Sequence, residues 1–392
     1  MVAGHLQIKN GIYYMVICYV DADGNRKQRW ISTKLKVKNN KKRAQELLDE
    51  TRKNFVIPNC DNASELVSTD MLFSDFLKTW LSIKQDSLAI TTYAGYYREV
   101  YQNIAPYFEK TGLRVSDIKP SDIHNFYNSK KKTVKGRTIK HYHNVIHSAF
   151  KYLMRLDLIQ SNPADRVILP RIEKYIGEYY NEEDLNRLFE VTKDHPLGLL
   201  IQMTACYGLR REEVIGLKWK AIDFEENTLT IKHVVTTVKL DGKLKLVQED
   251  RAKTKSSLRT LPLLPDMKEH LLDRKKQQER NKRLCGECYN HEYDEYIFVD
   301  ALGNLFKPEY VSGGFRNILK KNNLKHIRFH DLRHSCATLL LAHDVPMKLI
   351  QEWLGHSDIG TTANIYSHTD YKTKMVSADI MNDTLNFPKV SP

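Results

Sequence analysis

Between residues 5 and 20 apolar and polar positions alternate, with Leu6, Ile8, Ile12, Tyr14 and Val16 on one parity. Period-two alternation predicts strand. Asp23-Gly24 predicts a hairpin turn, and the run around 29–32 predicts the returning strand. From 39 to 54 the period lengthens to that of a basic amphipathic helix. A small sheet backed by one helix fits within residues 1–58, near the lower limit of ~60 residues for independent stability. The Pro, Asn and Ser of 56–70 predict a linker.

Helical spacing then runs from 71 to 168. Leu72, Phe73, Phe76, Leu77, Trp80 and Leu81 recur at helical intervals. A second helix begins near Thr91, and its Tyr93, Tyr96, Tyr97 and Tyr101 suit a core better than a base-stacking platform. Two more helices are predicted over 120–130 and 138–156, and Asn162-Pro163 stops the last. A second linker covers 169–177.

Beyond 178 the periods mix. Helices are predicted over 182–192 and 196–206, with Gly208 at a helix C-terminus. Strands follow over 228–240 and 244–249 around Asp241-Gly242, and another over 259–264. A charged helix covers 268–283, and the remainder is mainly helical. Val376, Ile380 and Met381 suit a tail helix that docks on its own subunit or on a neighbouring one. The pattern predicts a multidomain α+β chain. Its parts are a small β-sheet plus helix module (1–58), an all-helical domain (71–168) and a mixed α/β, mainly helical domain with a C-terminal tail (175–392).

The charge of the 392 residues is +13 and it is skewed. Residues 1–58 hold twelve Lys and Arg against five Asp and Glu, and residues 59–170 hold fifteen against eleven. That skew points to a polyanionic partner gripped mainly by the N-terminal half. The run Lys130, Lys131, Lys132, Lys135, Arg137 and Lys140 is a candidate phosphate contact; its bland reading is a solvated helix face. No apolar signal core opens the chain and no apolar run approaches the ~20 residues of a membrane span. Six scattered cysteines suit a reducing cytoplasm. Cys285 and Cys288, with His291 nearby, form half a zinc pattern without a matching second pair, so free thiols are the simpler reading.

The chemistry-bearing residues lie in the last part of the chain. His330 and Arg333 stand in HDLRH, and His356 and Tyr366 in LGHSDIGTTANIY. Arg210 and Glu213 stand in YGLRREEVIGL, and Lys253 in AKTKSSLRTLPL. A phenol attacks a phosphodiester only when cations neutralise the nonbridging oxygens, a base takes its proton and an acid protonates the leaving oxygen. Arginine forks suit the first task. His330 precedes Arg333 by three, which on a helix puts both on one face, and the stripe Leu332, Cys336, Leu339, Leu340 places that pair off the buried side. His356 follows a glycine and could hold a phosphate oxygen. Lys253, near a strand-to-strand turn, could reach the leaving alkoxide. Taken singly each has a dull reading: Arg210 with Glu213 is an ordinary i, i+3 pair, His330-Asp331 could be a metal pair, and Tyr366 is one of 21 tyrosines. Their joint order and spacing weigh against coincidence.

These motifs resemble the tyrosine recombinase family, the phage integrases, and in layout most resemble integrases of conjugative transposons. The resemblance implies Arg210, Lys253, His330, Arg333 and His356 as the catalytic set, Tyr366 as the nucleophile and Glu213 as a supporting carboxylate. Lys255 stays open as the alternative to Lys253. It implies a 3′-phosphotyrosyl intermediate without metal, ATP or other cofactor. The first domain would bind arm-type sites on double-stranded DNA and the helical one core sites. Further implied partners are other copies of the chain in a tetramer, an excisionase and a host DNA-bending protein. A DNA-binding protein that kept the fold without the chemistry, and a type IB topoisomerase, are the rival readings.

Overall fold

The computed structural model describes residues 3–9, 11–20, 26–37, 40–54, 66–172, 177–250 and 258–356. The alternating N-terminal stretch is two strands rather than one. Gly11 takes φ +72°, which a residue without Cβ adopts freely. It separates β1 (Ala3–Lys9) from β2 (Ile12–Val20), and β3 (Arg26–Lys36) completes an antiparallel sheet in the order β1-β2-β3. The Asp23-Gly24 turn lies outside the described residues. β2 buries Tyr13, Met15, Val16 and Ile17, so both parities are apolar and alternation could not choose between them. Met15 and Ile17 pack on Leu48 of α1 (Lys41–Asn54). Tyr14 faces Trp30 across the sheet, with ring centroids 6.3 Å apart.

The helices expected over 71–168 are α2 (Phe73–Lys84), α3 (Ile90–Glu99), α4 (Ala105–Thr111), α5 (Pro120–Lys131) and α6 (Gly136–Arg155). They enclose a core separate from that of the sheet, with Phe73, Phe76, Trp80, Phe126 and Phe150 buried. A π turn at Val100–Ile104 joins α3 to α4. Pro106 follows it, and the wider turn accommodates the hydrogen bond that proline cannot donate. Tyr93, Tyr96 and Tyr97 pack half-buried against the core, whereas Tyr101 is 40% exposed and stacks on Tyr97.

The chain folds as two compact units, Met1–Lys174 with Leu240–Gly242, and Tyr175–Lys239 with Lys243–Pro392. The second contains α7 (Glu182–Thr192), α8 (Gly198–Tyr207) and α9 (Arg211–Ile215). A three-stranded sheet follows, β4 (Ile222–Asp223), β5 (Thr228–Ile231) and β8 (Arg259–Pro262), in the order β4-β5-β8. Between β5 and β8 the chain makes the hairpin β6 (His233–Leu240) and β7 (Lys243–Asp250). The strand expected over 228–240 thus divides at exposed Lys232 between two sheets. Asp241 and Gly242 both take positive φ, the turn that Asp-Gly predicted. The remaining helices are α10 (Pro265–Cys285), α11 (Pro308–Lys321), α12 (Asp331–Ala342) and α13 (Met347–Leu354). Leu200, Val214, Leu229, Leu261, Phe315 and Leu332 close one core beneath them.

Among the described residues no helix is long and apolar enough to cross a membrane, and no group of three or more His, Cys, Asp or Glu is placed to hold a metal. Cys285 and Cys288 are not joined in a disulfide, and His291 pairs with Asp294 at 2.9 Å.

Candidate active site

Three guanidiniums meet at the junction of α9, β8, α12 and α13. The first is set by a turn. α8 ends at Gly208 in the left-handed region, and two residues later Arg210 caps α9. Glu213, the third residue of that helix, reaches back: its Oε2 accepts the Arg210 backbone N–H at 2.9 Å and its Oε1 accepts Arg210 Nη1 at 2.6 Å. This is the return half of a capping box, which is why an arginine and a glutamate stand three apart here. Arg210 Nη2 donates to the carbonyl of Gly355 at 3.2 Å.

The second guanidinium, Arg259, was not singled out in the sequence. It lies at the start of β8, where alternate residues 259, 261 and 263 face inward, and that alternation is the signal that could have found it. Arg259 Nη2 donates to Glu213 Oε2 and Nε donates to the carbonyl of Trp353, both at 3.0 Å. Burial alone would raise the Glu213 pKa, but Arg259 and Arg210 outweigh it and hold the carboxyl at about 2.

Arg333 is the third. It was expected off the buried side of α12, yet only 2% of it is exposed. α12 packs on α8 and also on α13, so its polar side is covered too. Arg333 Nη1 donates to the carbonyl of Gly208 at 2.5 Å and Nε to His356 Nε2 at 3.3 Å. Nη2 is buried without a hydrogen-bond partner among the described residues. Burial and the charge of Arg210 draw the Arg333 pKa down to about 9, still above neutrality.

His330 is the residue that caps α12 rather than a member of its first turn. Asp331 fixes that start. Its carboxylate accepts the Arg328 backbone N–H at 2.8 Å and the Arg328 guanidinium at 2.6 and 2.9 Å. Asp331 is thereby committed to Arg328 rather than to a metal. The His330 ring meets His334 edge to face, with centroids 5.6 Å apart.

His330 keeps an exposed edge, yet desolvation by its neighbours, then His334 and Arg333, push its pKa down to about 4; desolvation, Arg333 and Arg210 push His356 to about 3. Both rings are neutral at pH 7. A neutral His356 can accept the Arg333 N–H at Nε2, with its own proton assigned to Nδ1. Both folded-state values lie below the ordinary 6.5. Their contribution to stability is therefore complete above 6.5 and is lost as pH falls from there towards 4 for His330 and towards 3 for His356. Melting temperature should decline through that window, and replacing both histidines by glutamine should flatten the decline. An equally steep decline in the double variant would refute the assignment.

The structure thus brings together Arg210, Glu213, His330, Arg333 and His356. Lys253, Lys255 and Tyr366 lie outside the described residues, as do Val376, Ile380 and Met381. Lys130, Lys131, Lys132, Lys135, Arg137 and Lys140 belong to the other unit, at the end of α5, the following turn and the start of α6. All but half-buried Lys130 are exposed. Lys130 instead lays its ammonium 5.8 Å from the Phe126 ring centroid.

Comparison with known proteins matches the phage integrase family over residues 178–373 and the phage integrase N-terminal SAM-like domain over 72–131. A XerC-like tyrosine recombinase of Caldanaerobacter subterraneus subsp. tengcongensis is 30% identical, over 96% of this chain and 97% of its own. The ICEBs1 integrase of Bacillus subtilis (strain 168) is 26% identical over 78% and 83%. In fold, the chain is similar to the Tn1549 transposon integrase in complex with a circular intermediate DNA, with a TM-score of 0.64 at 19% identity over 79% of this chain and 99% of that one. A lambda integrase tetramer bound to a Holliday junction is similar with a TM-score of 0.54 at 16% identity, over 92% and 94%.

Proposed function

The chain belongs to the phage integrase family, and from that premise we propose that it is a site-specific recombinase that integrates and excises a mobile element. Tyr366 attacks the scissile phosphate, so that an O–P bond forms to the phenol and the bond to the 5′ oxygen breaks. Neutral His330 takes the phenolic proton, and Lys253 gives one to the departing 5′ oxygen; Lys255 is the alternative donor. Arg210 and Arg333 hold the nonbridging oxygens, and His356 adds a hydrogen bond. A 5′ hydroxyl of a second strand then reverses the attack. One phosphodiester replaces another, which makes an energy source unnecessary.

The observation that carries these roles is the convergence of two guanidiniums, Arg210 and Arg259, on the Glu213 carboxylate, with a third, Arg333, beside them whose Nη2 is buried without a hydrogen-bond partner among the described residues. Keeping charge buried in excess of its counter-charge is costly unless an anion arrives. A phosphodiester is such an anion.

Three domains are part of the same proposal. The 1–58 module reads arm-type sites; the exposed Arg26, Lys27 and Arg29 on β3 support a groove contact. The 71–168 helices hold the core site, with Lys131, Lys132, Lys135, Arg137 and Lys140 on its phosphates and Lys130 nearby. The 175–392 domain cuts. The lambda assembly supports pairing of copies on DNA into a tetramer, and an excisionase and a host DNA-bending protein are the further partners we expect. We place the protein in the cytoplasm, with its DNA.

A suicide substrate followed by a denaturing gel tests the reading. An adduct from the wild type that maps to Tyr366 supports strand exchange. No adduct would favour the binding protein without chemistry, and relaxation of supercoils without sequence preference would favour a topoisomerase. Arg210→Lys keeps the charge and loses the fork, so cleavage should fall about 100-fold while DNA affinity holds; normal cleavage would remove Arg210 from the mechanism. Deleting 1–58 should abolish arm-site footprints and leave core-site cleavage. Loss of both would count against the domain assignment.

A further inference from the structure

Arg259 has no part in the roles above, yet it sits at their centre. It opens β8 opposite Ile231 of β5, so the sheet fixes its backbone. Only 8% of the residue is exposed. Its two bonds run to different elements. Nη2 reaches Glu213, the residue that returns to cap α9 and grips Arg210. Nε reaches the carbonyl of Trp353 near the end of α13. Two residues further on, the carbonyl of Gly355 accepts from Arg210, and His356 comes next. Nη1 is buried with no hydrogen-bond partner among the described residues, so the carboxylate and the carbonyl are what hold the fork.

These contacts make a closed loop: Arg259 to Glu213, Glu213 to Arg210, Arg210 to Gly355, and Trp353 back to Arg259. Its planar fork serves two acceptors at fixed angles; a lysine ammonium supplies the charge with less definite geometry, and a glutamine cannot balance Glu213. We propose that Arg259 is a positioning residue for strand cleavage, which fixes Arg210 against the segment that carries His356 without itself touching the phosphate. The proposal rests on the recombinase reading.

The test compares the wild type, Arg259→Gln and Arg259→Lys on a nicked suicide duplex carrying a footprinted core site. Kd, single-turnover cleavage rate and melting temperature are measured for each. Misplacing a catalytic group by about 1 Å costs about 100-fold, so the glutamine variant should cleave about 100-fold more slowly. Its Kd should be unchanged, because the phosphate contacts that dominate affinity lie elsewhere. The lysine variant should recover to within about tenfold of the wild type, since the charge on Glu213 is met again. Wild-type cleavage by Arg259→Gln would overturn the proposal. So would joint loss of rate, affinity and melting temperature in both variants, which marks a residue needed only for folding. Absence of any adduct from the wild type would instead overturn the recombinase reading and this proposal with it.

Discussion

Arg333→Lys is expected to lower single-turnover strand cleavage by about 1000-fold, the upper end of what one transition-state donor supplies. The size follows from what the fork does. Nη1 is committed to the Gly208 carbonyl and Nε to His356, which leaves Nη2 for the substrate. A lysine in that position has one ammonium for three duties. It would satisfy the carbonyl first, because a buried acceptor left without a donor costs about 1–3 kcal/mol. His356 then loses the partner that orients its ring, and the phosphate loses its donor. Core-site affinity should hold, since on the proposed reading the exposed Lys131, Lys132, Lys135, Arg137 and Lys140 share it. Cleavage within tenfold of the wild type would show that Arg333 maintains the fold and does not meet the phosphate.

Gly208→Ala should destabilise the second unit by about 3 kcal/mol, from left-handed strain on a residue with Cβ together with overpacking. A Cβ on Gly208 would stand 2.2 Å from Leu354 Cδ2 and 3.4 Å from Cys336 Sγ, with φ at +59°. The first distance is far inside contact, and Leu354 is fully buried, so it has nowhere to go. Relief that the buried Leu354 side chain cannot give by turning comes from moving α8 away from α13. The carbonyl of residue 208 would move too, and with it the anchor of Arg333. Thermal unfolding measures the loss, and Leu354→Ala in the same chain separates its causes. The double variant should regain part of the melting temperature lost to the clash while keeping the part due to φ. If Leu354→Ala added its own full penalty instead, the clash would be the wrong explanation.

How far the sequence could be read depends on the kind of signal. Gly208 was legible as a helix terminator because it follows an apolar helix and precedes a capping pair. Arg210 and Glu213 were legible because their bond is local. Arg333 was misplaced because one apolar stripe on α12 implied one buried side. The second side is buried by α13, and that contact joins residues which a helical period does not relate. Arg259 was passed over for a similar reason. Its partners, Glu213 and Trp353, are 46 and 94 residues away. At the N-terminus both faces of β2 were apolar, so parity gave no register, and Gly11 alone marked the break between β1 and β2.

The last turn of α13 contains no basic residue of its own. Its backbone dipoles leave roughly half a negative charge at that end. Arg259 and Arg210, drawn from two other elements, meet it through the Trp353 and Gly355 carbonyls. The helix therefore serves as a fractional counter-ion to the arginine cluster, beside the full charge of Glu213. Inserting one residue in its final turn would swing the Trp353 and Gly355 carbonyls about 100° round the axis, and the guanidiniums would lose those acceptors without any side chain having changed.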